Sequence, residues 1–69
     1  MKISARNSLI GKVKSINEGA VNNEVVIEIA AGVEITSVVT KASCEALGLT
    51  VGADAYAVIK ASDVMVAVD

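Results

Sequence analysis

The sequence predicts a mainly β fold, a small five-stranded barrel with one short helix, in a chain that needs partner subunits. Three observations lead there. Val, Ile and Ala supply most of the apolar residues, and β-branched side chains favour pleated sheets. Apolar residues recur with a period of two along several short segments, as in strands with one buried face. At 69 residues a lone chain buries only roughly 60% of the surface that its unfolded form exposes. Proteins of this size usually add disulfides, a structural metal or partners.

Taken in order, Leu9 to Ile16 sets Ile10, Val13 and Ile16 among Lys12 and Lys14, which suits a twisted strand better than a two-turn helix. The polar Ser4-Ala5-Arg6-Asn7-Ser8 precedes it, and Asn17-Glu18-Gly19 reads as a turn. Val21 to Ala30 carries Val25, Ile27 and Ile29 on one parity and Glu24 and Glu28 on the other, the clearest strand in the chain. Ala31-Gly32 then connects to Val33, Ile35, Ser37 and Val39 alternating with Glu34, Thr36, Val38 and Thr40, so these two strands form a hairpin.

The pattern changes at Thr40, an N-cap residue followed by helix formers and closed by Gly48, which predicts a helix of about two turns. After a Val51-Gly52 turn, Ala53 to Lys60 places Ala55, Ala57 and Ile59 on one face and Tyr56 and Val58 on the other, with both faces expected to be buried. Ala61-Ser62-Asp63 starts a further helical turn with Ser62 or Asp63 as cap, and Val64 to Val68 supplies the last strand. The order β-β-β-α-β-β is that of an oligonucleotide/oligosaccharide-binding-like barrel, whose closure removes exposed edges. Residues 1–69 read as one domain, without repeat or linker.

Composition narrows the ways such a chain is stabilised. The single cysteine, Cys44, rules out an intrachain disulfide, and the absence of histidine leaves no zinc set. Hydrophobic residues make up 54% of the chain, yet Tyr56 is the one aromatic. A core without large rings is built by bringing many small side chains together, so an obligate homo-oligomer is expected. The net charge of −2 and six dispersed cations give no basic surface for nucleic acid. The apolar runs are too short to cross a bilayer, the N-terminus lacks the apolar core of a signal peptide, and a free thiol suits the cytoplasm.

Catalytic constellations are missing: there is no Ser-His or Cys-His pair and no glycine-rich phosphate loop. Glu24, Glu28 and Glu34 lie on the polar parity of strands, Cys44 sits among small apolar residues as an inert thiol, and Tyr56 reads as a packing residue with a satisfied hydroxyl. What stands out is a set of donors at element ends: Ser4 and Arg6 before the first strand, Thr40 and Ser43 at the helix start, and Lys60 at the end of a strand. Spacing leaves two readings. Either Thr40 is simply a cap and the cations are ordinary surface groups, or the free N–H groups of the helix start, with an Arg and a Lys, hold an anion.

Four stretches resemble a known family. Ser4-Ala5-Arg6-Asn7-Ser8-Leu9 looks like an S-A-R-N-x-L opening, and Gly19-Ala20-Val21-Asn22-Asn23-Glu24-Val25 is similar to the family's turn into its second strand. Thr36-Ser37-Val38-Val39-Thr40, with Ser43 and Leu47-Gly48-Leu49, matches the helix region, and Lys60-Ala61-Ser62-Asp63-Val64-Met65 matches the closing segment. In this the chain resembles the molbindins, stand-alone forms of the TOBE-like Mop domain also found in molybdate-responsive regulators and molybdate importer ATPases.

The resemblance implies a hexamer built as a trimer of dimers, strands exchanged within each dimer, and molybdate or tungstate bound between subunits for storage or buffering. It implies no chemical transformation and no organic cofactor. Carried over residue by residue, Ser4 and Arg6 of one subunit face Thr40, Ser43, Lys60 and the backbone around Ala61 of its neighbour. A second class of family sites uses backbone groups, here around Gly19, Ala20 and Val21, where the carboxylate of Glu18 is unfavourable unless it points away. Molybdate is a dianion that only accepts hydrogen bonds, so hydroxyl, N–H, guanidinium and ammonium donors suit it. Sulfate has the same charge and shape and differs in size. The alternative is a molybdate-responsive sensor module docking on another protein, a reading that the short chain, without room for an attached domain, disfavours.

Overall fold

A computed structural model describes residues 1–69 and contains four antiparallel strands, one α-helix and a final 3-10 turn. The strands are β1 (Asn7–Glu18), β2 (Asn22–Ala30), β3 (Val33–Thr40) and β4 (Asp54–Ile59), with helix α1 (Lys41–Ala46) between β3 and β4 and the 3-10 turn at Ala61–Asp63. They form one sheet in the order β3-β2-β1-β4, curled into a half-barrel.

The twelve-residue β1 organises the sheet. Its first half pairs with β4, from Asn7 opposite Ile59 to Lys12 opposite Asp54, and its second half pairs with β2, from Lys12 opposite Glu28 to Glu18 opposite Asn23. A bulge between Val13 and Ser15 bends the strand where it changes partner. Gly11 is required at this crossing, because a Cβ there would lie 2.4 Å from the Glu28 carbonyl oxygen. The Val51-Gly52 turn docks on the bend, with Gly52 N–H donating to Val13 O at 2.8 Å and Val13 N–H to Ala53 O at 2.9 Å.

The β2–β3 hairpin and its parity match the sequence pattern: Val25 and Ile27 are buried, and Gly32 takes the positive φ of 76° that the tight connection demands. Helix α1 is capped by Thr40, whose Oγ1 accepts the Ser43 N–H, and ends at Gly48 with φ 63°. Cys44 is buried beneath it.

Several expectations are corrected. Strand β1 begins two residues earlier and ends two later than expected, so the turn falls at residues 19–21, not at Asn17-Glu18-Gly19, and β2 starts at Asn22. Ladder bonds to β4 and β2 extend a strand past the end of its apolar pattern. The 3-10 turn is preceded by Lys60 and has no side-chain cap from Ser62 or Asp63. In β4 only the Ala55, Ala57 and Ile59 face packs inward, while Tyr56 is 55% exposed with its hydroxyl in no hydrogen bond within the chain.

The fifth strand does not form within the chain. Met65, Val66 and Val68 are each about nine-tenths exposed, because residues 64–69 join no strand of the sheet. Sheet edges β3 and β4 face each other across an open groove of about 420 Å³ lined by Val25, Ile27, Val39, Leu49 and Tyr56. The core is correspondingly slight: Val13, Val25, Ile27, Cys44 and Ala57, with Asn23 the one buried polar residue. The chain exposes 5254 Å², where a compact monomer of 7.0 kDa exposes about 4,000 Å². The excess is on the scale of one standard interface or more per chain.

Candidate oxyanion-binding site

The six cations fall into separate environments. Lys12 stands in register with both Glu28 on β2 and Asp54 on β4, and Glu28 in turn faces Glu34 on β3, so one charged row crosses all four strands. Lys12 Nζ donates to Asp54 Oδ1 at 2.6 Å. Lys14 donates to the Glu34 carboxylate and lies 3.9 Å from Glu28. The hydrogen bond to Glu34, and then its negative charge, raise the Lys14 pKa above its ordinary 10.5. These two lysines make every ion pair in the chain.

Arg6 and Lys60 have no such partner. Asn7 pairs with Ile59, and its Nδ2 donates to the Ile59 carbonyl at 3.4 Å, so the next residues outward on the two adjacent strands are Arg6 and Lys60. Both are exposed. Lys60 opens the 3-10 turn, where the Asp63 N–H donates to Lys60 O at 2.9 Å and the Val64 N–H to Ala61 O. A turn of this kind leaves the N–H groups at its start, those of Ala61 and Ser62, free for other acceptors. Ser4 is exposed just upstream of Arg6. Three of the residues singled out from the sequence, Arg6, Lys60 and Ala61, therefore lie at one end of the β1–β4 ladder, with Ser4 two residues upstream of Arg6. Two cations brought to neighbouring strand ends without a counter-ion repel each other, and a dianion between them would reverse that.

Thr40 and Ser43 lie elsewhere. Thr40 is opposite Asn22, and the start of β2 pairs with the far end of β1, so these hydroxyls stand at the other end of that strand from Arg6. The Thr40 hydroxyl accepts the Ser43 N–H at 3.0 Å and donates to Ser43 Oγ at 2.8 Å. Its proton is thereby committed within the pair, which leaves the Ser43 hydroxyl proton to be donated outward. Helix α1 has only six residues and contributes little dipole, so the donors that count here are hydroxyls. Within one chain the predicted residues form two clusters, and β1 separates them.

The Gly19–Val21 turn adjoins the second cluster. The Lys41 backbone N–H donates to Val21 O at 2.8 Å and its ammonium to Gly19 O at 3.2 Å, while Gly19 N–H closes the turn on Asn22 O at 2.9 Å. A Cβ on Gly19 would lie 2.5 Å from that same oxygen. Lys41 is a residue that reading the sequence missed. Its only local signal is its place directly after the N-cap, and its proximity to the turn depends on the pairing of β2 with β3.

Residues 3–66 match the TOBE domain family. The chain is 54% identical over 69 residues to a probable molybdenum-pterin-binding protein of Haemophilus influenzae, covering all of both chains. Its fold is similar to that of MopII from Clostridium pasteurianum without ligand, with a TM-score of 0.90, 49% identity, and coverage of 97% of this chain and 100% of that one. It is also similar to the cytoplasmic molybdate-binding protein ModG with molybdate bound, with a TM-score of 0.89, 55% identity, and coverage of 94% of this chain and 46% of that one.

Proposed function

This chain belongs to the TOBE domain family, and from that premise we propose that it binds molybdate or tungstate as an intact oxyanion and stores or buffers it in the cytoplasm without transforming it. The observation that carries the reading is the pair Arg6 and Lys60: two cations on adjacent strand ends with no carboxylate partner, in a chain whose mid-sheet lysines are all paired. A tetrahedral dianion matches them in charge and accepts from every donor nearby. Each charge-assisted hydrogen bond contributes on the order of 1.5–3 kcal/mol.

The complete site is shared between copies. Arg6 and Ser4 of one subunit, with Lys60 and the Ala61 N–H, meet the Ser43 hydroxyl and its Thr40 support across an interface. The separation of the two clusters along β1 supports this arrangement, since one chain holds them at opposite ends of its longest strand. The open groove between β3 and β4 and the extended apolar residues 64–68 support strand exchange, each copy laying its C-terminal segment into the groove of the next. A hexamer made as a trimer of dimers follows from the same resemblance. The sensor alternative has less support, because a relative matched along its whole length is named as a binding protein.

Elemental analysis after equilibration with molybdate and excess sulfate, paired with native mass measurement, tests the proposal. The expected result is bound molybdenum at one or more per subunit on an oligomer, with no pterin absorbance. Molybdenum below stoichiometric levels, or a monomer that binds as well as the assembly, overturns it. Truncation after Asp63 is expected to yield dissociated chains with impaired uptake.

A further inference from the structure

We propose that Asn7 is the positioning residue of the oxyanion site, its side-chain amide bracing the strand ends that carry Arg6 and Lys60. The inference rests on the oxyanion reading above and adds to it a residue that need not touch the anion. The β1–β4 ladder runs from Asn7 opposite Ile59 to Lys12 opposite Asp54, and a side chain ties the two strands at each end. At the far end the tie is the Lys12–Asp54 ion pair at 2.6 Å. At the site end it is Asn7, whose Nδ2 donates to the Ile59 carbonyl oxygen at 3.4 Å. No other side-chain hydrogen bond joins these strands.

The Asn7 bond falls where it governs both cations. The Ile59 carbonyl belongs to the planar peptide that leads into Lys60, and the Asn7 backbone nitrogen belongs to the peptide that follows Arg6. Fixing one against the other fixes the directions in which the two cationic side chains leave the ladder. Arg6 and Lys60 themselves lie just outside β1 and β4, and Lys60 leads into the 3-10 turn with φ −60° and ψ 136°. Like charges on neighbouring ends repel and splay them, so the last rung is where a brace has an effect. At 3.4 Å the bond is long and adds little to stability; its consequence is for direction. Asn7 is half-buried, whereas Arg6 and Lys60 are exposed, so the brace is held in place while the cations stay accessible. The two ties also differ in charge. An ion pair at the site end would set a carboxylate beside the anion and repel it, whereas an amide joins the strands and adds no charge.

The test is molybdate affinity by calorimetry, with thermal unfolding and native mass, for the wild-type assembly and for Asn7→Ala, Asn7→Ser, Asn7→Asp and Asp54→Asn. Asn7→Ala weakens binding about fivefold, on the scale of one lost neutral hydrogen bond, and Asn7→Ser, which keeps a donor, recovers part of the loss. Asn7→Asp has nearly the same shape but sets a carboxylate oxygen against the Ile59 carbonyl, and it weakens binding by about a further tenfold. Asp54→Asn breaks the tie at the other end, with a slight fall in melting temperature and no change in affinity. A merely structural role for Asn7 would lower the melting temperature and leave the affinity of the folded assembly at the wild-type value. Wild-type affinity in both Asn7→Ala and Asn7→Asp, or an equal loss in Asp54→Asn, overturns the positioning role alone. Loss of the assembly in all three Asn7 variants overturns it too, since Asn7 would then be structural. No binding by the wild type overturns this role together with the proposed function.

Discussion

Two regions of the same sheet use the same residue types to opposite ends. In the middle, Lys12 and Lys14 are matched by Asp54, Glu28 and Glu34 in a row that crosses all four strands. At the end of the β1–β4 ladder, Arg6 and Lys60 form no ion pair. A balanced row is internally satisfied and offers an anion nothing, while the unbalanced pair is what the proposed anion would neutralise. An acidic chain can thus still carry unpaired positive charge, because the carboxylates that form ion pairs, Asp54, Glu28 and Glu34, stand beside Lys12 and Lys14 and none is paired with Arg6 or Lys60.

The comparison can be broken from either side. The largest effect is expected at the middle, from Gly11→Ala, which forces a Cβ against the Glu28 backbone where β1 changes partner. Overpacking of this kind costs about 1–3 kcal/mol or more, and with so small a core we expect loss of the folded assembly in circular dichroism and native mass. A folded, stable variant would mean that the crossing is looser than the geometry implies.

Next come Arg6→Ala and Lys60→Ala, each expected to weaken molybdate binding by about tenfold to a hundredfold while thermal unfolding stays near that of the wild type. Loss of the fold in both would show instead that these cations are structural. Ser43→Ala should have a smaller effect, about fivefold in affinity by calorimetry, because it removes a neutral donor. An unchanged affinity would exclude the hydroxyl cluster from the site.

The smallest effect concerns Lys14. Its pKa is raised above 10.5 by Glu34, so the pair contributes fully below that value, and the contribution is lost as pH rises through the higher folded-state pKa. Lys14→Met should therefore lower the melting temperature slightly at neutral pH, with the difference vanishing in strongly alkaline solution and anion affinity unchanged throughout. The group is exposed and screened, so the shift is small. A marked loss of molybdate affinity in this variant would erase the distinction between the two regions.

Much of this was legible residue by residue. The alternation through Val25 and Ile27, the Thr40 cap with Ser43 three residues on, and Gly48 closing the helix all correspond to observed structure, since each depends on neighbours close in the chain. The β1 ends and the turn at residues 19–21 were misplaced by two residues because ladder hydrogen bonds extend strands past their apolar pattern. Buried Asn23, whose Oδ1 lacks a partner, gave no warning at all. An asparagine at the head of a strand reads as polar and exposed until the register places it on the inner parity with Val25.

What the sequence determined by itself was the local grammar: period-two strands, one capped helix, a chain too small and too poor in aromatics to close a core alone, and a handful of donors at element ends. Only the tertiary structure decided how those donors divide. Pairing of β1 with β4 puts Arg6 beside Lys60, and pairing of β2 with β3 puts Lys41 beside Gly19 and keeps Thr40 and Ser43 at the far end of β1. The same pairing leaves residues 64–68 without a strand to join in their own chain. The reason is that periodicity records which face of a strand is buried, whereas which strands become neighbours, and which are left at an edge, is fixed by long-range pairing that no local pattern encodes.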